Sequence, residues 1–317
     1  MTTLDKYWPF RKLGMFTTQD EYGNSTSEIN QTGPSTWLTS LLALFSALNI
    51  FLSITASLGN ALILVALRRE TSLHPPTKLL FQALAVTDFC AGLVSQPLFA
   101  VAVMTNIIEM NYSHEGYIVT AFILCGTSVL TSTAISVDRL LALLLGLRYR
   151  HAVTLRRTRA VIVCFFVITV SCVMMHFWNK NFAWIAIIAF GVVCLITSIF
   201  SYTKIYLKLR QHQAQVQEHL NQGQPNGGET PLNIARYKKT VSGIAWVQLV
   251  LVTCYIPYLI VSILRLSVKS NEKLIEVIYF AAVTQIYLNS SLNPILYCWK
   301  NKEVRRAAKY TISQVCY

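Results

Sequence analysis

The chain has 317 residues, of which 54% are hydrophobic and 13% charged, with a formal net charge of +13 and a mean hydropathy of +0.46. That balance lies outside the range of ordinary soluble domains and points to a polytopic membrane protein. The basic residues are scattered between apolar runs instead of gathered on one face, which argues against a nucleic-acid partner and for loop topology as the source of the charge.

Residues 1–36 form a polar arm, read as extracellular, whose start Lys6-Tyr-Trp-Pro-Phe-Arg-Lys12 lacks the layout of a cleavable signal peptide. The first span is therefore expected to direct insertion. Asn24, Asn30 and Asn111 each head an Asn-x-Ser/Thr triplet and are glycosylation candidates on outer segments. Seven apolar runs follow, at about 37–67, 77–104, 115–147, 160–178, 182–207, 238–267 and 274–298. Each is long enough for a helix across a hydrocarbon layer of about 30 Å. An odd number of spans puts the termini on opposite sides. Outside the segments that alternate with the arm, Lys and Arg are few: Lys6, Arg11, Lys12, Lys180, Arg265, Lys269 and Lys273. The remainder lie on the other side, so the amino end is expected outside and the carboxyl end in the cytoplasm, at the plasma membrane.

Between the fifth and sixth runs, Gln211 to Asn233 is Gln-rich, lacks apolar periodicity and reads as a mobile linker. The outer link His176 to Asn181 is very short. Within 299–317, Trp299, Val304, Ala307, Ala308 and Ile312 alternate with Lys300, Lys302, Arg305, Arg306 and Lys309. This predicts a short cytoplasmic amphipathic helix against membrane lipids, with Cys316 as a lipidation candidate; the alternative is a frayed basic tail. The eight cysteines fall within spans or at the last residues, which leaves none for an extracellular disulfide framework.

Away from the span edges, the apolar runs hold two carboxylates, Asp88 and Asp138, and one base, Arg139. Charges at such depth are costly and mark function. Asp138 can hold its neighbour Arg139 near the inner boundary, where an intracellular partner would compete for the guanidinium. Asp88 has no base at comparable depth and must find polar company on other helices, for which Ser128, Asn289, Ser290 and Asn293 are the candidates. A carboxylate among hydroxyl and amide oxygens suits a small hard cation such as sodium; the alternative is a protonated, hydrogen-bonded Asp88 with no ion. Pro257 and Pro294 lie inside spans, where each removes a backbone hydrogen bond and makes a hinge.

Six motifs then occur in order: Gly59-Asn60, Leu84-Ala85-Val86-Thr87-Asp88, Asp138-Arg139-Leu140, Tyr202, Cys254-x-x-Pro257 and Asn293-Pro294-x-x-Tyr297. Together they resemble the rhodopsin-like (class A) G-protein-coupled receptors over about residues 37–312. The resemblance implies an all-α membrane protein, a seven-transmembrane helix bundle over 37–298. It further implies that Arg139 contacts a heterotrimeric G protein, that Asp88 heads an allosteric sodium pocket, and that Tyr202 and Tyr297 swing toward Arg139 on activation. Asp138, Pro257, Asn293 and Pro294 complete the coupling set, and no other cofactor is implied.

The departures from that pattern narrow it. Leu140 stands where a Tyr is usual and Tyr255 where a Trp is usual. His114 replaces the Cys that normally pairs with the second outer loop, and Cys194 sits near the place of a customary proline. This combination looks most like the melanocortin branch, with adenosine and cannabinoid receptors as relatives.

Family geometry places the ligand among Gln96 and Phe99 of the second span and Ala121, Phe122 and Cys125 of the third. Tyr255, Tyr258, Leu259 and Ser262 of the sixth and Val283, Ile286 and Tyr287 of the seventh complete that cleft. Receptors for monoamines carry an acid at the position of Ala121, so the expected ligand is a non-amine: lipid-like, a nucleoside or a peptide. No nucleophile-base pair or phosphate loop suggests an enzyme, and the seventh span has no Lys for an opsin-like Schiff base. The alternatives are a multi-span transporter and a ligand-independent receptor-like scaffold.

Overall fold

In the computed structural model the described residues are 36–69, 73–107, 114–221, 249–265 and 272–300, together with 305, 306, 310 and 313. The chain divides into two units, Met1–Ser35 and Thr36–Tyr317, of which the first lies outside the described residues. Asn24, Asn30, Asn111 and Cys316 lie outside them as well, as do the Tyr297 side chain and most of the proposed amphipathic segment.

Every described element is helical: α1 Thr36–Arg69, α2 Pro75–Cys90, α3 Gln96–Ile107, α4 His114–Leu145, α5 Tyr149–Ala152, α6 Leu155–Trp178, α7 Lys180–Asn221, α8 Leu249–Arg265 and α9 Glu272–Lys300. Hydrocarbon offers no partner for a backbone N–H or C=O, so a spanning segment satisfies both within itself as a helix. α2 and α3 are two halves of one span, and α5 is a single turn beside α4. The result is the expected all-α bundle of seven spanning helices. Five spans are long and apolar enough to cross a membrane by composition alone, and α8 is a shorter apolar helix. The seventh, α9, reaches about 43 Å at 1.5 Å per residue, and it carries the buried polar run Asn289, Ser290, Ser291 and Asn293. Large side chains such as Leu44, Phe51, Phe166, Val193 and Ile196 are exposed on the flanks, as faces turned to lipid require.

Between α2 and α3, residues Ala91–Ser95 form a π-helical turn, closed by the Gln96 N–H donating to the Ala91 carbonyl. Pro97 explains it: a proline lacks the N–H and crowds the carbonyl four residues back, here Leu93, which the wider turn accommodates. The Ser53 hydroxyl of α1 donates to the Gly92 carbonyl at 2.6 Å, satisfying an acceptor in the widened turn. A Cβ on Gly92 would lie 2.8 Å from Ser57 Oγ and 2.9 Å from Ala56 Cβ, so only glycine permits this approach of α1. Lower in the bundle Gly59 plays the same part against α9, where its Cβ would meet Pro294 Cγ at 2.9 Å.

Two sequence expectations are corrected. α7 continues through Asn221, so residues 211–221 are helix and not linker; the Gln, Ala, Glu and Leu there are good helix formers and need no apolar face to extend a helix already nucleated. The link between the fourth and fifth spans shrinks to Asn179 alone, with His176 buried inside α6. Asn179 serves both helices, its N–H donating to the Met175 carbonyl at 2.8 Å and its side-chain oxygen accepting from the Phe182 N–H at 3.1 Å.

Candidate functional site

Three adjoining regions hold the residues singled out in the sequence. At the middle of the bundle Asp88 is fully buried on α2. Its Oδ1 accepts from the Ser128 hydroxyl of α4 and the Ser290 hydroxyl of α9, both at 2.8 Å, and its Oδ2 accepts from the Asn293 amide at 2.7 Å. Three helices thus converge on one carboxylate. Asn60 ties in the first span, donating to the carbonyls of Ala56 at 2.9 Å and Ser290 at 3.1 Å. Asn289 does not reach Asp88. It is buried with both its amide oxygen and nitrogen lacking a hydrogen-bond partner. The carboxylate and the two serine hydroxyl oxygens on it are hard donors of the kind that a sodium ion takes, so the residues around Asp88 fit that ion.

At one end of the bundle, Asp138 and Arg139 sit on α4. The Arg139 Nε lies 3.8 Å from Asp138 Oδ2, and the guanidinium stands over the Phe81 ring at 5.8 Å. The sequence did not reveal that Asp138 has two further partners. Its Oδ2 accepts from the Thr77 hydroxyl at 2.9 Å and its Oδ1 from the Tyr149 hydroxyl at 2.6 Å, with those two hydroxyls 3.1 Å apart. Tyr149 reaches inward because Gly146, at φ +50°, adopts the left-handed backbone that turns the chain from α4 into α5. The carboxylate is therefore anchored by uncharged donors, while the Arg139 Nε makes no hydrogen bond and the side chain stays partly exposed. Tyr202 lies half-buried on α7 and Pro257 half-buried on α8, while Pro294 is buried against Gly59.

At the other end lies a cavity of about 120 Å³. Ala121, Phe122 and Cys125 of α4, Tyr255, Tyr258 and Leu259 of α8, and Val283, Ile286 and Tyr287 of α9 all line it. Three residues placed there from the sequence do not. Phe99 is wholly buried behind the wall, its ring 5.4 Å from Tyr117, 5.6 Å from Tyr287 and 5.9 Å from Phe280. Gln96 is also fully buried and donates to the Tyr287 carbonyl at 3.4 Å. The π turn offsets the register of α3 from that of α2, which a straight-helix reading cannot anticipate. Ser262 is buried on α8 one turn past the lining residues Tyr258 and Leu259.

The sequence reading also missed a whole side of the cavity, formed by Ile168, Thr169 and Cys172 of α6 with Ile187, Phe190 and Gly191 of α7. Among the described residues, none that lines it is acidic or basic. Its hydroxyl groups are those of tyrosines and of Thr169, and the latter is engaged with the Phe166 carbonyl at 2.9 Å and with Thr127 at 3.1 Å. Beside the cavity, buried His176 belongs to an aromatic cluster, 6.0 Å from Phe122 and 6.5 Å from Trp184. Near that end the Arg265 guanidinium covers the Tyr279 ring at 4.3 Å.

The family profile described as 7 transmembrane receptor (rhodopsin family) matches residues 59–184 and 175–297. Melanocortin receptor 5 of Rattus norvegicus is 22% identical over 285 residues, covering 84% of this chain and 84% of that protein. Adenosine receptor A3 of Bos taurus is 24% identical over 292 residues, covering 82% and 87%, and histamine H2 receptor of Cavia porcellus 27% identical over 289 residues, covering 83% and 77%.

Proposed function

The chain belongs to the rhodopsin family of seven-transmembrane receptors, a G-protein-coupled receptor that crosses the membrane several times, and from that premise we propose that its activating ligand is a neutral molecule seated among Ala121, Cys125, Tyr255, Tyr258 and Tyr287. The observation that carries this reading is that no described residue lining the cleft is acidic or basic. Burying an unpaired ammonium there would cost several kcal/mol, and the tyrosine faces would recover only about 1–2 kcal/mol through cation–π contact. The relatives' names leave the choice open, since they include an amine, a nucleoside and the melanocortin receptors.

In this reading the amino end is outside and the Arg139 end faces the cytoplasm, in keeping with the basic residues around Arg148 to Arg159. Arg139 is the group offered to the G protein. Thr77 and Tyr149 hold Asp138 in place, so the guanidinium can leave it without orphaning the carboxylate. Asp88, Ser128 and Ser290 would hold sodium, whose positive charge would balance the buried carboxylate and favour the inactive packing of α2, α4 and α9. Asn293 and Pro294 place the α9 hinge against that centre.

A panel of biogenic amines, nucleosides, short peptides and neutral lipids, read by G-protein activation sensors in transfected cells, tests the ligand class. Amines are expected to be poor agonists. A potent amine response that survives Tyr258→Ala and disappears on Glu109→Gln or Glu115→Gln would overturn the proposal.

A further inference from the structure

We infer that the cleft takes a small uncharged aromatic molecule, one ring of about six to eight heavy atoms bearing a single hydrogen-bonding group, with that group set against the Tyr255 hydroxyl. This rests on the receptor reading above and specifies its ligand.

Size comes first. The cavity holds about 120 Å³, and an apolar cavity of roughly 150 Å³ in another protein takes one benzene molecule. A single ring with a short substituent is therefore the scale of occupant that fits. A nucleoside, a peptide or an acyl chain is too large. The walls also meet at two points: a Cβ on Gly126 would lie 3.0 Å from Thr169 Cγ2 and one on Gly191 3.1 Å from Leu259 Cδ2, so the helices that enclose the cavity already touch there.

The lining selects the kind of molecule. Phe122, Phe190, Tyr255, Tyr258 and Tyr287 face the cavity, and Phe122 stands edge-on to Trp184, with ring centroids 5.4 Å apart and planes at 78°. Aromatic rings attract one another in edge-to-face and offset arrangements beyond the area they bury. An aromatic occupant thus gains contacts that an aliphatic one of equal volume does not.

The polar group is placed by what the other hydroxyls are doing. Thr169 donates to the Phe166 carbonyl at 2.9 Å and pairs with Thr127 at 3.1 Å, and the Tyr287 hydroxyl pairs with Ser95 at 2.7 Å. Tyr117 and Tyr279 hydrogen-bond each other, the Tyr258 hydroxyl lies against Ser262, and Arg265 covers the Tyr279 ring. Tyr255 differs. It is half-buried beside Cys125, and among the described residues its hydroxyl has no hydrogen-bond partner. A phenol both donates and accepts, so a ligand hydroxyl, N–H or carbonyl can bond it, whereas a charged group would find no counter-charge among the described lining residues.

The test uses the full-length receptor in lipid nanodiscs with 4-fluorophenol as the probe, its binding read by fluorine NMR and corrected for partition into nanodiscs without receptor. Saturable binding is expected, displaced by phenol and benzyl alcohol and roughly tenfold less well by 2-naphthol, whose second ring overfills the cavity. Tyr255→Phe should weaken 4-fluorophenol and phenol about fivefold and leave toluene, which has no hydroxyl, unchanged. A general loss of packing would weaken all three. Leu259→Ala enlarges the cavity and should reverse the order of phenol and 2-naphthol. Absence of saturable binding to the wild type, or affinity that rises from one ring to two, overturns the inference, and neither result depends on how the variants fold. Unchanged 4-fluorophenol affinity in Tyr255→Phe overturns the placement of the polar group. Nucleotide exchange on a purified G protein is read separately. If 4-fluorophenol binds through Tyr255 but no small aromatic alters exchange, the site stands and the ligand's role in the receptor reading fails. If a nucleoside or peptide drives exchange and no small aromatic displaces it, the receptor stands and the small-aromatic inference fails.

Discussion

The helices differ in how they are held. Within the most apolar stretches of α2–α3 and α4, 50% of residues are buried inside the protein, against 17% for α6 and 22% for α7. The first group, α1 and α9 are joined to one another by side-chain hydrogen bonds that cross between helices: Ser46 to the Ala100 carbonyl, Asn49 to Thr284, Asn60 to the Ser290 carbonyl, Ser95 to Tyr287, and Ser291 to the Leu52 carbonyl, besides the three on Asp88. Toward α4, α6 and α7 offer hydroxyl pairs, Thr127 with Thr169 at 3.1 Å and Ser198 with Thr133 at 3.2 Å. In lipid there is no hydrophobic force between helices, so small residues and polar contacts decide where packing is tight. The polar side is thus built to keep a register, and the other side to face lipid and line an apolar cavity.

Substitutions in the two regions should therefore have unequal effects, measured as thermal inactivation of detergent-solubilised receptor. The largest is expected at Asp88→Ala, which deprives two buried hydroxyls and a buried amide of their acceptor and should cost about 2–4 kcal/mol. Asp88→Asn keeps the shape and one acceptor oxygen. It should be milder, and should abolish any lowering of agonist affinity by sodium; an unchanged sodium response would favour the ion-free carboxyl. Gly59→Ala forces a methyl onto Pro294 and should cost about 1–3 kcal/mol. Gly116→Ala, with nothing within 4 Å of the new Cβ, should be neutral or gain up to about 1 kcal/mol in helix propensity. On the lipid-facing side, Ser198→Ala should cost about 0.6 kcal/mol. Phe166→Leu, on an exposed flank, should stay within about 0.5 kcal/mol. Equal costs at Asp88 and Phe166 would erase the distinction between the two sides.

Much of the first region was legible in the sequence because buried charge is rare in a span: Asp88 and Asp138 stood out, and the small polar residues of α9 were the evident company for the former. The cavity was legible only in part. Ile168, Phe190 and Leu195 belong to the same apolar composition as the lipid-facing Phe166 and Val193, so hydropathy cannot say which of them turns inward. The π turn was hidden for a related reason. Pro97 announces a disturbed backbone, yet only the packing of α1 on Gly92 and the Ser53 hydroxyl shows how it is absorbed and why Phe99 and Gln96 leave the cavity wall. Tyr149 has no signature in the sequence, since its reach to Asp138 depends on the left-handed backbone at Gly146.

In the proposed function the Arg139 end acts on a G protein through the guanidinium that Asp138 does not fully claim. Reconstituting the receptor with a purified heterotrimer and measuring the rate of nucleotide exchange tests it directly. The wild-type receptor should accelerate exchange, and Arg139→Ala at equal abundance should lose tenfold or more of that acceleration, as expected for charge-assisted hydrogen bonds of about 1.5–3 kcal/mol made in the exchanging complex. Exchange by Arg139→Ala equal to that of the wild type would contradict the account.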